Sequence, residues 1–197
     1  MLPIRGFVET SLVNWDGKTS AVIFLEGCNL RCAYCHNKEI LVISPDKYLD
    51  VSYVLYRIRE MKSFIDGVVI TGGEPLLQEE LRYLLQIIRD VGLPIKLDTN
   101  GTLPSKLKDV LHLVDYVAMD IKVPFAVNKE SIQLLKESST PHEFRITVAS
   151  PDVFNDVVEV VKDLGVSESL FLQRVDGINI ENLQKECASF VKECVIR

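Results

Sequence analysis

Three cysteines, Cys28, Cys32 and Cys35, fall within one short stretch with the spacing C-x3-C-x2-C. Cysteine thiolates are the usual ligands of iron–sulfur clusters, and a [4Fe–4S] cluster normally takes four of them. A loop that offers three thiolates leaves one iron able to bind a substrate or a cofactor. The spacing therefore predicts a cluster with one open coordination position.

A structural zinc site is the alternative for this loop, because His36 follows Cys35 directly and would complete a set of four soft ligands. Zinc sites more often take their ligands from two separated pairs, and two adjacent side chains would both have to turn onto one ion. Disulfides are disfavoured, since three cysteines leave an odd thiol. Cys187 and Cys194 are predicted to share the last helix as small buried residues, about 10 Å apart and too far to bridge.

The composition is typical of one globular domain in a reducing compartment. The chain has 197 residues, of which 47% are hydrophobic and 25% charged, and its formal net charge is −6. That charge disfavours a large nucleic-acid surface, which is usually basic. The sequence lacks both the apolar run of a signal peptide and the ~20 apolar residues of a membrane span. We expect a cytoplasmic protein whose partners include neither nucleic acid nor membrane.

Six β-rich runs alternate with six amphipathic stretches, and each pair has about the length of a βα unit. The predicted strands are Ser20–Gly27, Gly67–Gly72, Pro94–Asn100, Tyr116–Lys122, Glu143–Ala149 and Ser169–Val175. The predicted helices are Val51–Lys62, Gln78–Val91, Pro104–Leu113, Asn128–Lys136, Phe154–Leu164 and Ile180–Lys192.

Parallel strands joined by right-handed crossovers form a full barrel, an open doubly wound sheet or a partial barrel. Six units suit the last two of these α/β architectures. The repeats are expected over residues 20–192 of a single domain covering 1–197. Residues 1–19 are expected to form a small hairpin outside the repeats, over Phe7–Lys18 with a turn at Asp16-Gly17.

The cysteine loop follows the first strand, which places it at the carboxyl ends of the strands, where α/β proteins hold their chemistry. Three later segments end strands at the same edge: Thr71-Gly72-Gly73-Glu74-Pro75, Asp98-Thr99-Asn100-Gly101 and Asp120-Ile121-Lys122. Paired glycines allow the backbone to approach a ligand closely, and Glu74 offers an acceptor for an ammonium group. Each segment alone is an ordinary turn, but their coincidence favours a binding site.

These residues resemble the radical S-adenosylmethionine (SAM) superfamily. The resemblance is carried by Cys28-x3-Cys32-x-Tyr34-Cys35 and by Gly72-Gly73-Glu74-Pro75 one βα unit later, and it implies a partial (β/α)6 barrel. Further motifs, Cys35-His36-Asn37, Leu97–Gly101 and Ala118–Lys122, are similar to the activating enzymes of glycyl radical enzymes. Over about residues 6–175 the chain most resembles activating proteins of anaerobic ribonucleotide reductase, and pyruvate formate-lyase activating enzymes are close by motif.

The resemblance implies a [4Fe–4S] cluster on the three cysteines, with the amino and carboxylate groups of SAM on its open iron. One electron then splits SAM into methionine and a 5′-deoxyadenosyl radical, which abstracts a hydrogen atom from a glycine of a partner enzyme. Flavodoxin or ferredoxin is the expected reductant. Only Lys38–Asp66 separates the cysteine loop from the glycine-rich strand end, and this stretch holds no cysteine, so a single cluster is expected.

The resemblance also implies roles for single residues. Tyr34 would contribute to the adenine pocket, and Gly72–Pro75 would hold the methionyl ammonium. Other expected cofactor contacts are His36, Asp98, Asn100, Asp120, Lys122 and Arg145.

Oxygen ligands on two neighbouring strand ends could also hold a monovalent cation, from Asp98, Thr99 and Asp120. The alternative is that Asp98 caps its own turn while Asp120 pairs with Lys122 or Arg145. Strand alternation does not tell which of Arg145, Gln173 and Arg174 faces the cofactor.

Two other functions compete with an activating enzyme. A radical SAM enzyme acting on a small molecule or nucleobase, such as a deazapurine synthase, would keep the same cluster and cofactor motifs. An iron–sulfur electron carrier or metal-binding module would leave Gly72–Pro75 and Asp98–Gly101 unexplained.

Overall fold

The computed structural model describes residues 2–122, 128–165, 167–175 and 177–197. Within these residues the chain has an α/β fold with an eight-stranded sheet. The strands are β1 (Ile4–Ser11), β2 (Ser20–Leu25), β3 (Gly67–Gly72), β4 (Ile95–Thr99), β5 (Tyr116–Ile121), β6 (His142–Val148), β7 (Ser169–Arg174) and β8 (Glu193–Ile196). The helices are α1 (Val51–Glu60), α2 (Leu81–Val91), α3 (Pro104–Val110), α4 (Lys129–Glu137), α5 (Phe154–Leu164) and α6 (Glu181–Cys187).

Hydrogen-bonded neighbours in the sheet follow chain order from β1 to β8, so β1 and β8 are its edge strands. The β1–β2 pair is antiparallel. The pairs β2–β3, β3–β4, β6–β7 and β7–β8 are parallel. The predicted α/β class with a mostly parallel sheet is confirmed.

The chain divides into two compact units. The first contains the chain up to Thr99 together with Ser105–Val117, and the second contains Asn100–Pro104 and Ala118–Arg197. None of the helices in the described part of the chain has the length and hydropathy required to cross a membrane.

The core of the first unit lies between its strands and α2. Strands β2 and β3 are almost continuous apolar runs, and their side chains are largely buried, which is typical of parallel strands covered on both faces. Helix α2 buries the stripe Leu81, Leu84, Leu85 and Ile88, with the i, i+3, i+4, i+7 spacing of an amphipathic helix. Gly92 ends α2 in the left-handed conformation with φ of 85°.

The structure contains the predicted N-terminal hairpin, and its first strand joins the sheet. Strand β1 pairs along β2, the first strand of the repeats, because the turn at Asp16-Gly17 folds β1 directly back onto it. Trp15 in the connection is 6% exposed and packs with Val22 and Val69. The hairpin is therefore an integral part of the core of the first unit.

The prediction of a last helix reaching Lys192 was wrong. Helix α6 ends at Cys187, and Cys194 lies in β8, opposite Leu170 of β7. The two cysteines lie in different elements, a short helix and a strand, so the separation of about 10 Å expected within one helix does not apply. Interaction with Cys194, together with burial, raises the pKa of Cys187, whereas interaction with Cys187 lowers the pKa of Cys194. Both residues are buried free thiols, as predicted.

Candidate cofactor-binding site

The cysteine loop leaves the end of β2 and is closed at its base by a backbone hydrogen bond of 2.8 Å from Gly27 N to Ile40 O. Within the loop, the Leu30 amide donates to the Cys28 sulfur at 3.4 Å, and the Cys35 amide donates to the Cys32 carbonyl at 3.1 Å. None of the three cysteines is in a disulfide, and all three are partly exposed. The loop thus presents three accessible thiols on a backbone that is anchored at its base.

The donor set of this loop fits an iron–sulfur cluster. It consists of three cysteine side chains with no disulfide among them, and thiolates are the ligands such clusters require. The described residues contain no group of three or more His, Cys, Asp or Glu side chains already arranged to hold a metal ion. In the same loop Tyr34 is partly exposed and His36 is exposed.

The two glycines at the end of β3, Gly72 and Gly73, are required by contacts within the chain. Gly72 has φ of 136°, and a Cβ there would lie 2.1 Å from the Leu25 carbonyl oxygen. A Cβ on Gly73 would lie 2.0 Å from the Gly27 carbonyl oxygen and 3.1 Å from Cβ of Cys28. The sequence attributed these glycines to a ligand, whereas the structure shows their backbone passing directly against the start of the cysteine loop.

Glu74 is fully buried and links three strand ends of the first unit. Its amide donates to the Gly27 carbonyl at 2.8 Å. Its carboxylate oxygen Oε1 accepts from the amide of Leu76 at 3.0 Å and from the hydroxyl of Thr99 at 2.9 Å. Pro75, also buried, begins the short 3-10 turn that follows. The Gly72–Pro75 segment is therefore rigidly held between the cysteine loop and β4.

Two further residues support this part of the first unit and were missed by the sequence analysis. The Gln78 side-chain amide donates to the Glu26 carbonyl at 2.7 Å. The Lys96 ammonium lies 3.6 Å from Oδ1 of Asp98, and the two side chains are only 4% and 13% exposed. Neither position belongs to a recognisable motif, so only the long-range contacts identify them.

In the second unit Asp120 is held between two cations. Arg145 Nε lies 2.7 Å from Oδ1, and Lys122 Nζ lies 3.3 Å from Oδ2. Burial alone would raise the pKa of Asp120, but Arg145 and Lys122 outweigh it, so this pKa lies below its ordinary value. Asp120 therefore pairs with both of the residues that the sequence offered as alternatives.

Gln173 and Arg174 were the other two residues that the sequence offered, beside Arg145, as candidates to face the cofactor. Gln173 accepts a hydrogen bond of 3.2 Å from the Thr147 hydroxyl. Arg174 is exposed at the end of β7. Among the three, Arg145 is the one that joins Asp120 and Lys122.

Asn128 organises two other polar residues of the second unit, Asn100 and Lys122, and was also missed. Its side chain donates to the Asn100 carbonyl at 2.7 Å and accepts from the Lys122 amide at 2.9 Å. The Asn100 side-chain oxygen accepts from the amide and hydroxyl of Thr102, at 3.0 and 2.7 Å. Asn128 therefore fixes Asn100 next to Lys122.

The structure thus brings the predicted residues together in two groups. In the first unit, Cys28, Gly73, Glu74 and Thr99 are joined through direct contacts. In the second unit, Asp120, Lys122 and Arg145 form one ion-pair cluster, and Asn128 links Asn100 to Lys122.

The family model of the radical SAM superfamily matches residues 22–185. The chain belongs to this superfamily, and the predicted resemblance is confirmed. The match includes both the cysteine loop and the Gly72–Pro75 turn.

Two relatives are similar to this chain in sequence, and one solved structure is similar to it in fold. A protein of Methanocaldococcus jannaschii, provisionally named a glycyl-radical enzyme activating enzyme, is 30% identical over 97% of this chain and 76% of its own length. A 7-carboxy-7-deazaguanine synthase of Hyperthermus butylicus is 33% identical over 79% of this chain and 68% of its own. The crystal structure of QueE from Escherichia coli matches with a TM-score of 0.67, covering 95% of this chain and 88% of QueE, at 18% identity. This last likeness shows the fold alone.

Proposed function

We propose that this protein is a radical SAM activating enzyme that generates a glycyl radical on a partner enzyme. The observation that carries the proposal is the similarity to the M. jannaschii protein, which extends over 97% of the chain. Similarity of this extent covers the later strands as well as the cofactor motifs. Those strands are where members of one superfamily are expected to differ when their substrates differ.

In this proposal Cys28, Cys32 and Cys35 hold a [4Fe–4S] cluster, and the open iron takes the amino and carboxylate groups of SAM. When bound, the cluster and SAM supply reductive cleavage, in which one electron yields methionine and a 5′-deoxyadenosyl radical. Transfer of a glycine Cα hydrogen to that radical gives 5′-deoxyadenosine and leaves the glycyl radical on the partner. Flavodoxin or ferredoxin would provide the electron.

The protein's own groups would bind and orient SAM. The Gly72–Pro75 backbone, fixed by the buried Glu74 carboxylate, is suited to receive the methionyl ammonium. Tyr34 would contact the adenine, with His36 beside it in the same loop. Further contacts are assigned to Asp98 in the first unit and to Asn100, Asp120, Lys122 and Arg145 in the second.

Anaerobic ribonucleoside-triphosphate reductase is the first partner to test. The reconstituted, reduced protein would be mixed anaerobically with SAM and this reductase, and electron paramagnetic resonance would be recorded. A doublet typical of a glycyl radical is the expected result. A reduced-cluster signal that responds to SAM without any doublet would reject this partner, and other glycyl radical enzymes would follow in the same assay.

A second candidate function is synthesis of a deazapurine, favoured by the 33% identity to the H. butylicus synthase. This alternative predicts that product forms without a partner protein. Assaying 7-carboxy-7-deazaguanine in parallel with the glycyl radical separates the two. Formation of the deazapurine without any radical on the reductase would overturn the activating role.

A further inference from the structure

We propose that Lys96 is a positioning residue for Asp98. Its ammonium group supplies the positive charge that the sequence analysis assigned to a monovalent cation bound by Asp98, Thr99 and Asp120. The proposal rests on membership of the radical SAM superfamily and is independent of the partner enzyme. Its consequence is that this chain binds SAM without help from potassium or sodium.

The geometry of β4 brings the two residues together. Residues two apart in a strand point to the same face of the sheet, and Lys96 and Asp98 do so within Ile95–Thr99. The Lys96 ammonium lies 3.6 Å from Oδ1 of Asp98, and its side chain is only 4% exposed. A buried ammonium is costly unless it is paired and hydrogen-bonded, and the Asp98 carboxylate provides the opposite charge for Lys96.

Two further contacts fix the ammonium in place. Lys96 Nζ donates a hydrogen bond of 2.7 Å to the carbonyl oxygen of Asn14. It also lies 5.9 Å from the centre of the Tyr116 ring, at the limit of a cation–π interaction. The Trp15 side chain next to Asn14 packs in the core, 6.0 Å from the same Tyr116 ring. The ammonium is therefore anchored to the rigid centre of the first unit.

A metal cation at Asp98 would compete with this arrangement. Sodium and potassium bind several oxygen atoms, and a carboxylate attracts them by its negative charge. A fixed ammonium at 3.6 Å from Asp98 Oδ1 already offsets that charge. The other carboxylate of the hypothetical site is likewise engaged within its own unit, since Asp120 contacts both Arg145 and Lys122. The protein thus provides a cation for each carboxylate.

The decisive experiment compares SAM binding in different salts. The dissociation constant of SAM is measured by anaerobic equilibrium dialysis on the cluster-reconstituted protein, in chloride salts of potassium, sodium or tetramethylammonium at equal ionic strength. Tetramethylammonium is too large and too weakly coordinating to replace a bound ion. The expected result is a change of less than about twofold among the three salts, because the Lys96 charge is present in each of them.

The variant Lys96→Met removes the ammonium while keeping a long apolar side chain. We expect its affinity for SAM to fall by about tenfold in tetramethylammonium and to recover partly in potassium, which can then occupy the vacated place beside Asp98. Lys96→Arg, which retains a positive charge, should stay independent of the salt. The matched control is Lys162→Met, because that exposed lysine lies 5.1 Å from the Phe190 ring centre in the second unit and should not alter binding.

Two results would overturn the proposal. One is wild-type binding that weakens about tenfold in tetramethylammonium relative to potassium. The other is a folded Lys96→Met protein that binds SAM like the wild type in every salt. If this variant does not fold, the wild-type comparison still decides the question, and the melting temperature of the cluster-free wild type should be equal in all three salts.

Discussion

The hydroxyl of Thr99 donates a hydrogen bond of 2.9 Å to Oε1 of the buried Glu74 carboxylate. Thr99 is the last residue of β4, and Glu74 lies in the turn that follows β3. The same carboxylate oxygen accepts from the Leu76 amide. One side-chain contact therefore fixes the positions of two neighbouring strand ends that both carry predicted cofactor-binding residues.

Replacing Thr99 by valine should destabilise the protein by about 1–3 kcal/mol, because the buried Glu74 carboxylate would lose a hydrogen-bond donor and gain none. The free energy of unfolding of the cluster-free protein in urea measures this change. Thr10→Val is the control, since Thr10 is an exposed residue of β1. Equal stability of the two variants would mean that the Thr99–Glu74 contact does not hold the turn.

Replacing Gly73 by alanine should displace the cysteine loop. The added Cβ would lie 2.0 Å from the Gly27 carbonyl oxygen and 3.1 Å from Cβ of Cys28, a clash that only backbone movement can relieve. We expect a loss of about 1–3 kcal/mol of stability, as for other overpacked sites, and less iron bound per chain after reconstitution. Urea unfolding and iron analysis provide the two measurements.

Gly6→Ala is the matched control for this clash. A Cβ on Gly6 would lie 3.4 Å from Phe24 Cδ2, an ordinary contact distance, and neither Gly6 nor Gly73 has a positive φ. The comparison of Gly73→Ala with Gly6→Ala therefore separates the effect of the steric clash on stability from any effect of backbone strain. Full iron content in Gly73→Ala would show that the cysteine loop is free to shift without losing its ligand geometry.

The strands of the repeats were predictable because each is a short apolar run bounded by turn residues. Helix α5 occupies Phe154–Leu164 as predicted, since its valines form a regular buried stripe. The error concerns an edge of the sheet, where α6 is shorter than predicted and β8 follows it. Whether an edge segment pairs with a neighbouring strand depends on contacts that local propensity does not encode.

The candidate site was predictable to the same limited extent. The cysteine loop and the glycine turn carry a spacing that chemistry requires, so the sequence reveals them. Lys96, Gln78 and Asn128 carry no motif, and each acts through a partner distant in sequence, such as Asn14 for Lys96, 82 residues away. Residues that hold a site in place are therefore harder to find than residues that form it.

Replacing Glu26 by alanine should cost about 3–5 kcal/mol, the usual effect of removing one partner of a buried ion pair. Glu26 lies 3.0 Å from Arg5, and the two side chains are 1% and 8% exposed. Its carboxylate also accepts from the Ser44 amide, at 3.0 and 3.1 Å, and from the Tyr48 hydroxyl. These contacts tie the segment after the cysteine loop to β1 and β2, and urea unfolding of the cluster-free protein tests them.

The exposed pair of Glu9 and Arg57 is the natural comparison for Glu26. Arg57 Nε lies 2.7 Å from Oε1 of Glu9, but both groups face solvent, and exposed ion pairs contribute little. Glu9→Ala should therefore leave the free energy of unfolding nearly unchanged. Similar losses in Glu26→Ala and Glu9→Ala would contradict a special role for the buried pair.

The phenol of Tyr48 should ionise at higher pH than an ordinary tyrosine. Its hydrogen bond to the Glu26 carboxylate is the main cause of the raised pKa, with burial and the Glu26 charge adding to it.

A raised pKa of Tyr48 in the folded state means that the stabilisation from its hydrogen bond is complete below the ordinary tyrosine pKa of about 10 and is lost as the pH rises through the folded value. The difference in unfolding free energy between the wild type and Tyr48→Phe should thus be constant below about pH 10 and shrink above it. In a phenolate absorbance titration, Tyr48→Phe should remove a late-ionising group from the wild-type curve. If the late-ionising part of the curve is unchanged in Tyr48→Phe, the Tyr48 hydroxyl does not donate a hydrogen bond to Glu26.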